Sequence, residues 1–216
     1  MTVNEFFVIC FLLSVLRTDT IRFRNYFPNA MPIKVVSTRL PEVKIIEPAV
    51  FADVRGYFLE SYNAQDFDES VVGGVTFLQD NISESRRGVV RGLHYQLPPF
   101  AQAKLVRCIS GAIFDVAVDV RRSSPTLGQW VGVELSAINK KSLWIPEGFA
   151  HGFAVLGESS TVLYKHTTLW HPECEASIRW DDPTLAIDWP LARLADVILS
   201  EKDADAPDWS HARLFD

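Results

Sequence analysis

The sequence of 216 residues lacks the features that mark several common protein classes. Its three cysteines, Cys10, Cys108 and Cys174, are widely spaced and form no CxxC pair, which argues against a disulfide framework and a structural zinc site. No GxGxxG fingerprint of a dinucleotide site is present. The sequence has 21 Lys and Arg against 27 Asp and Glu, a net charge of −6. Because this charge is negative, we expect no nucleic acid partner and no binding to an anionic membrane. The unpaired cysteines fit a reducing compartment, so the expected location is cytoplasmic.

A long hydrophobic run is also missing. The apolar segment from Phe6 to Leu16 is too short to cross a bilayer, which takes about 20 residues. Glu5 before it and Arg17 after it fit a signal peptide poorly. We therefore divide the chain into an N-terminal extension, residues 1–30, and a domain over residues 31–216. Three interpretations of the extension stay open: a non-native or mis-assigned start with Met31 as the true first residue, a packed or disordered extension, and a targeting signal.

Beyond residue 31, short apolar runs and two-residue alternation predict strands. Turn residues such as Ser110-Gly111 separate them, and short helices are expected to begin near Ala64 and Ser200. No internal repeat or linker is apparent, so the prediction is one all-β domain with a few short helices, folded as a jelly roll. The candidate strands are Val43–Ile46, Val75–Gln79, Val89–Tyr95, Lys104–Ile109, Ile113–Val120, Trp130–Leu135, Leu143–Ile145, Ala150–Val155 and Thr161–Lys165.

Two motifs carry most of the chemical information. His94 lies in a strand with Arg91, and Lys104 follows ten residues later, although a lone strand histidine is more often structural than catalytic. The pattern Pro146-x-Gly-x-x-His151 is similar to the second motif of the cupin superfamily, in which such a histidine often binds metal. Position 96 is Gln where a first cupin motif usually has His, so His94 has no neighbouring ligand. The expected fold is a cupin-type β-jelly roll, or double-stranded β-helix barrel, without metal or cofactor.

Many segments along the chain match one protein family in their order and spacing. They are Phe51–Glu60, Phe77–Asn81, Arg91–Gln96, Ala103–Arg107, Phe114–Arg121, Gly128–Trp130, Trp144–Phe153, Tyr164-Lys165, Pro172–Glu175, Ile178–Pro183 and Leu199–Asp203. Over about Met31 to Pro207, the chain resembles the dTDP-4-dehydrorhamnose 3,5-epimerase family. A series of this length is far more specific than any single motif.

The resemblance implies a role for each matching residue. His94 is implied to be the base that removes a proton, oriented by Asp203, and Tyr164 the acid that returns one from the opposite face. Lys104 is implied to lie beside the C4 oxygen of a 4-keto sugar, and Phe58 to pack against the ligand. The implied sugar-nucleotide site is completed by Arg55, Glu60, Gln79, Asn81, Arg91, His151, Trp170, Glu175 and Lys202.

This chemistry is consistent with first principles. Protons on the carbons that flank a ketone are acidic enough for a base tuned near neutral pH. A carboxylate beside an imidazole raises its basicity and selects its tautomer, and a cation at the carbonyl oxygen stabilises the enolate. No net oxidation or reduction occurs, so no nicotinamide is needed. Arginine side chains such as Arg55 and Arg91 suit a diphosphate.

Simpler interpretations accompany these roles. Ser200-x-x-Asp203 is also a helix capping pattern, and Tyr164 and Lys104 are also ordinary strand residues. The family usually shows a second Tyr six residues after Tyr164, where this chain has Trp170, which keeps an aromatic surface but loses the phenol.

The resemblance implies conversion of dTDP-4-dehydro-6-deoxy-D-glucose to dTDP-4-dehydro-L-rhamnose by a homodimer, on the route to L-rhamnose of cell-surface polysaccharide. The alternatives are an epimerase of a dTDP-deoxysugar that acts at C3 or C5 only, and a non-catalytic sugar-nucleotide-binding cupin. A keto isomerase and a metal-dependent dioxygenase are more distant possibilities.

Overall fold

The computed structural model describes residues 33–190 and 196–216, and the predicted extension over residues 1–30 lies outside them. The described helices are α1 (Ala64–Ser70) and α2 (Glu201–Ala204), with 3-10 turns at Pro172–Cys174 and Trp209–His211. The described strands are β1 (Lys34–Ser37), β2 (Lys44–Glu47), β3 (Val50–Asp53), β4 (Gly56–Leu59), β5 (Gln79–Arg86), β6 (Val90–Gln96), β7 (Lys104–Asp119), β8 (Trp130–Ser136), β9 (Ser142–Ile145), β10 (Phe149–His166) and β11 (Glu175–Ser177).

The two longest strands, β7 and β10, organise the fold. They pair antiparallel from one end, Phe149 opposite Asp119, to the other, His166 opposite Lys104. Each changes its second neighbour on the way: β7 pairs first with β9 and then with β8, and β10 pairs first with β6 and then with β5. Two sheets therefore share the same pair of strands, and the all-β jelly-roll prediction is confirmed.

The predicted turn at Ser110-Gly111 is wrong, because the chain continues through it within β7. Gly111 has φ +73°, and a Cβ there would come within 2.0 Å of the Ser159 carbonyl oxygen. The pairing register with β10 shifts on either side of this point, between Val155 and Ser160 and between Thr161 and Val162. The glycine therefore makes a β-bulge that bends both long strands from one sheet into the other.

The predicted strand Val75–Gln79 is also wrong, because residues 75–78 are irregular and the strand begins at Gln79. The apolar alternation there has another cause. Val75 and Phe77 pack on a buried cluster that includes Phe67 of α1, with the Phe67 and Phe77 ring centroids 5.5 Å apart. The pattern thus reports packing on a helix and not strand pairing.

Strand β7 is apolar on both faces. Ile113 and Ala117 belong to a core cluster inside the barrel, whereas Val116 and Val118 belong to a second cluster on the outside. The outer cluster is covered by the C-terminal part of the chain, including Ile178. This explains the nearly continuous hydrophobic run, because a strand buried on both sides shows no alternation.

The hairpin β3–β4 forms a separate two-stranded sheet and carries exposed apolar side chains. Phe51 and Phe58 are 53% and 63% exposed, and Val54 at the tip is fully exposed. Two strands alone are marginally stable in water, and exposed aromatic side chains are typical of contact surfaces.

Both predicted short helices are confirmed. The Asn63 side chain caps α1 by accepting hydrogen bonds from the backbone of Gln65 and Asp66, and Ser200 caps α2. In the parts of the chain that the structure describes, no helix has the length and hydrophobicity needed to cross a membrane.

Asp119, at the end of β7, should contribute to acid-sensitive stability. Its buried carboxylate accepts hydrogen bonds from Arg121, Ser124 and Thr126. Burial alone would raise the pKa of Asp119, yet these bonds lower it from 3.8 to about 2. This stabilisation is present above the unfolded-state pKa and is lost as the pH falls through the folded-state pKa.

We expect Asp119→Asn to lower the free energy of unfolding at pH 7 by about 2 kcal/mol, measured by urea titration, and the difference to shrink between about pH 5 and pH 2. Asp53→Asn is the matched control, because Asp53 makes the same pairing with Arg55 on the exposed hairpin and should change nothing measurable. An Asp119→Asn effect independent of pH would contradict the assignment.

Candidate active site

Side chains of β5, β6, β7 and β10 line a cavity of about 540 Å³ inside the barrel. Pairing between strands sets their positions: His151 lies opposite His94, Tyr164 opposite Asn81, and His166 opposite Lys104. Side chains of directly paired residues project from the same face of a sheet. Most of the residues predicted from the sequence line this cavity, namely Gln79, Asn81, Arg91, His94, Lys104, His151, Tyr164, Trp170 and Glu175.

His94 and Asp203 form a hydrogen-bonded pair at the edge of the cavity. The His94 Nε2 and Asp203 Oδ1 atoms are 2.5 Å apart, although 109 residues separate them along the chain. Burial alone would raise the pKa of Asp203, yet the bond from His94 and the one from Ser200 hold it below its ordinary value. An ionised Asp203 accepts the Nε2 proton, so the pairing selects the tautomer in which His94 Nδ1 is free to act as a base.

Asp203 belongs to the capped helix α2 and is also the hydrogen-bond partner of His94. The Ser200 hydroxyl accepts a hydrogen bond from the Asp203 backbone N–H and donates one to Asp203 Oδ2. The second carboxylate oxygen, Oδ1, faces His94 and also accepts the Gly92 N–H at 3.4 Å. The short helix α2 therefore fixes the carboxylate on the imidazole.

Gly92 allows the strand that carries His94 to approach β10 closely. It has φ +113°, and a Cβ there would lie 2.5 Å from the Gly152 Cα atom and 2.6 Å from the His151 carbonyl oxygen. Only glycine fits such a contact without a shift of backbone. The close approach brings His94 and His151 to adjacent positions on the cavity wall.

Lys104 is a buried cation at the base of β7, with 8% of its surface exposed. Its Nζ atom donates to the His94 carbonyl oxygen at 3.2 Å. Burial lowers the pKa of Lys104 to about 8, while the negative charges of Glu175 and Asp115 oppose the shift. A cation with so few protein partners is available to a negative or carbonyl oxygen in the cavity.

Tyr164 contributes a protonated phenol. Its hydroxyl lies 2.8 Å from Ser83 Oγ on the neighbouring strand β5. Burial raises the pKa of Tyr164 above its ordinary value, so the phenol keeps its proton at neutral pH. The site therefore combines a potential base, a cation and a weak acid.

Three residues with defined places in the site were missed by the sequence analysis. Asp115 is fully buried, and its Oδ1 atom lies 2.7 Å from His151 Nε2. Ser83 contacts Tyr164, and His166 lines the cavity. Burial lowers the pKa of His151, so its imidazole is neutral near pH 7. The available signals were a charged residue within an apolar strand for Asp115, and two-residue spacing from Tyr164 for His166.

The remaining predicted binding residues fall into two groups. Lys202 lies beside the cavity in an ion pair with Glu175, and Trp170 at the rim donates its backbone N–H to Gln79 Oε1 at 3.0 Å. In contrast, the residues Arg55, Phe58 and Glu60 are on or just after the exposed hairpin β3–β4 and do not line this cavity.

The histidines of the cavity do not present a metal site. His94 and His151 each direct Nε2 to a carboxylate. Among residues 33–190 and 196–216, no three His, Cys, Asp or Glu side chains come together in a way that would hold a metal ion.

Comparisons with known proteins identify the family. The family model of dTDP-4-dehydrorhamnose 3,5-epimerase matches residues 37–211. The dTDP-4-dehydrorhamnose 3,5-epimerase of Salmonella typhimurium is 56% identical over 173 residues, which are 80% of this chain and 93% of that protein. The enzyme of the same name from Pseudomonas aeruginosa is 54% identical over 183 residues, 85% of this chain and 99% of that protein.

A solved structure supports the same family. The crystal structure of dTDP-6-deoxy-D-glucose-3,5-epimerase from Legionella pneumophila, in complex with dTDP-4-keto-L-rhamnose, superimposes with a TM-score of 0.79 at 50% identity. The match covers 83% of this chain and 94% of that one. With the sequence, the barrel and the cavity in agreement, the chain belongs to the dTDP-4-dehydrorhamnose 3,5-epimerase family.

Proposed function

We propose that this chain converts dTDP-4-dehydro-6-deoxy-D-glucose to dTDP-4-dehydro-L-rhamnose by inverting C3 and C5, a step of dTDP-L-rhamnose biosynthesis. The observation that carries the proposal is the convergence of the His94–Asp203 pair, Lys104 and Tyr164 on one cavity. The names of the Salmonella and Pseudomonas relatives and the ligand of the Legionella structure support this substrate. The reaction is redox-neutral, so we propose that it needs neither a nicotinamide nor a metal.

In this mechanism His94 removes the proton. The hydrogens at C3 and C5 flank the C4 ketone, and Nδ1 of His94 is the free nitrogen of a tautomer fixed by Asp203. Asp203 then stabilises the imidazolium that forms, and the imidazolium releases its proton to solvent before the next carbon reacts. Its burial and its bonds to Ser200 and Gly92 keep the carboxylate in place while the proton moves.

Lys104 stabilises the enolate. Removal of the proton transfers negative charge to the C4 oxygen, and a preorganised cation at that oxygen contributes on the order of 3 kcal/mol to the transition state. The low exposure of Lys104 supports this role, because little water competes for its ammonium group.

Tyr164 completes the inversion by returning a proton to the opposite face of the enolate. Its raised pKa keeps the phenol protonated before the reaction. The bond to Ser83 Oγ orients the hydroxyl and offers a route by which the phenolate regains its proton from solvent.

The nucleotide is proposed to bind toward the rim of the cavity. Arg91 is held by Ser85 Oγ and the Glu84 carbonyl oxygen, which leaves guanidinium donors for a diphosphate oxygen. Lys202 adds a second positive charge.

The deoxynucleoside is proposed to receive amide, carboxylate and aromatic contacts. These come from Gln79, Asn81, Glu175 and the exposed ring of Trp170.

We further propose that the protein works as a cytoplasmic homodimer in which each hairpin β3–β4 completes the cavity of the partner. Arg55 and Phe58 belong to the implied ligand site, yet their own chain presents them to solvent away from its cavity. A second copy of the chain would bury the exposed Phe51 and Phe58 side chains and receive both residues.

Trp170 favours one alternative. If a phenol at this position served to place the sugar at one of its two carbons, an indole would leave inversion at C3 or C5 only. The proposed activity and this alternative differ in the number of carbons that exchange hydrogen with water.

The central test is deuterium exchange followed by proton NMR. In deuterated water, we expect the wild-type protein to introduce deuterium at both C3 and C5 of dTDP-4-keto-6-deoxyglucose. His94→Ala should lower both rates by about 100-fold to 10,000-fold, since it removes the general base. Tyr164→Phe should retain exchange but lose inversion, and His211→Ala, at an exposed histidine, should behave as wild type.

Exchange at one carbon would identify a single-position epimerase. Exchange that persists in His94→Ala would refute the assigned base. A folded wild-type protein that binds the nucleotide sugar without exchange would be a binding protein and not an enzyme.

The ionisation of Lys104 predicts an alkaline limit on activity. Lys104 has to be a cation to stabilise the enolate, and its pKa is about 8. We therefore expect kcat/KM to fall as the pH rises through about 8. Lys104→Arg should move this limb to higher pH, because a guanidinium stays charged, even if its absolute rate is lower. An unchanged limb in Lys104→Arg would assign it to another group.

Co-expression of two inactive variants tests the hairpin. His94→Ala lacks the base, and the double variant Arg55→Ala/Phe58→Ala lacks the hairpin contacts. If each hairpin serves the partner, mixed dimers contain one complete site, and a random mixture should recover about a quarter of wild-type activity. Activity is measured here as formation of the inverted sugar, because Tyr164→Phe should retain exchange. Co-expression of His94→Ala with Tyr164→Phe is the control and should recover no inversion. No recovery in the first mixture would show that the hairpin does not act across a dimer.

A further inference from the structure

His166 is a buried histidine of the cavity that the mechanism above does not use. It is 6% exposed and lies in one row of three paired strands, with Gln79 on one side and Lys104 on the other. Its ring is 6.0 Å from that of Tyr164, nearly parallel to it at 23°. The imidazole is therefore a neighbour of both the proposed acid and the cation proposed to hold the C4 oxygen.

The polar atoms of His166 are poorly satisfied by the protein. Its Nδ1 atom is buried and has no hydrogen-bond partner in the parts of the chain that the structure describes. Its Nε2 atom lies 3.5 Å from Asn81 Nδ2, at the outer limit of a hydrogen bond. Leaving a buried polar atom unpaired costs free energy, which a polar group of a bound ligand would offset.

The charge state of His166 indicates the kind of group that it would bind. Burial lowers its pKa to about 3, and the nearby charge of Lys104 acts in the same direction. Near pH 7 the ring is neutral, with one nitrogen that donates and one that accepts. A hydroxyl group, which also donates and accepts, matches this ring better than a phosphate or a carboxylate, which would favour a cation.

We propose that His166 determines specificity by hydrogen-bonding the C3 hydroxyl of the 4-keto sugar. This rests on the proposed function, in which Lys104 holds the C4 oxygen. Next to that oxygen the substrate carries one hydroxyl, on C3, because C5 bears the methyl group. The position of His166 beside Lys104 in the strand register therefore selects the C3 hydroxyl as its partner.

The test compares the natural substrate with its 3-deoxy and 2-deoxy analogues, using deuterium exchange at C5 as a common readout. Wild-type protein should show a kcat/KM about tenfold higher for the natural substrate than for the 3-deoxy analogue, the effect of one hydrogen bond between neutral groups. His166→Val should lose about tenfold on the natural and 2-deoxy sugars and little on the 3-deoxy sugar. His166→Asn, which keeps a donor and an acceptor, should restore part of the preference.

Ser160→Ala is the matched control. Ser160 lies in the same strand, is also buried and does not line the cavity. Like His166, it has a buried side-chain atom without a hydrogen-bond partner among the described residues. It should leave the three rates and their ratios unchanged.

Several results would overturn the proposal. They are equal losses on all three sugars in His166→Val, a preference that follows the C2 hydroxyl, and a shift of the alkaline limb without a change in preference. Should the variants not fold, equal rates of wild-type protein on the natural and 3-deoxy sugars would overturn it by themselves. If wild-type protein shows no exchange at all, the proposed function fails separately, and equal binding affinities for the two sugars would then decide against His166.

Discussion

The pairing of β7 with β10 along their full length is the constraint on which the rest of the molecule depends. These strands supply Lys104, His151, Tyr164 and His166, so a single register sets the relative positions of these four polar groups of the cavity. The bulge at Gly111 bends the pair and lets it serve both sheets. Because side chains alternate along a strand, a slip of β10 by one residue would turn His151, Tyr164 and His166 to the outside of the barrel.

Several polar groups are buried at the cavity, where apolar side chains would make the barrel more stable. Lys104 is a buried cation that lines the cavity. Within the described residues, a nitrogen of His166 and a carboxylate oxygen of Asp115, which contacts His151, have no hydrogen-bond partner. Each of them costs stability in the free protein. By contrast, the buried carboxylate of Asp119, at the last residue of β7, accepts hydrogen bonds from three neighbouring side chains. The contacts of Asp119 therefore add to stability, whereas the unpaired polar groups at the cavity reduce it.

The sequence predicts much of this arrangement, and its errors have physical causes. Residues such as His94, Lys104 and Tyr164 could be assigned to one site because they lie within a long ordered series of segments that match the family. Gly111 was misread because a bulge uses the same backbone conformation as a turn. The exposed position of Phe58 could not be foreseen, since a local pattern does not tell whether an aromatic side chain is buried within its own chain. His166 was missed because a single histidine in a strand carries no signal until its neighbours across the sheet are known.

The position of Asp203 in the chain has a consequence for biosynthesis. Lys104, Tyr164 and His94 all precede it, so they are translated before the carboxylate that contacts the imidazole. A chain still emerging from the ribosome can therefore present an acid and a cation in its barrel while its imidazole lacks the carboxylate that orients it. The proposed catalytic set is then complete only after Asp203 has been translated.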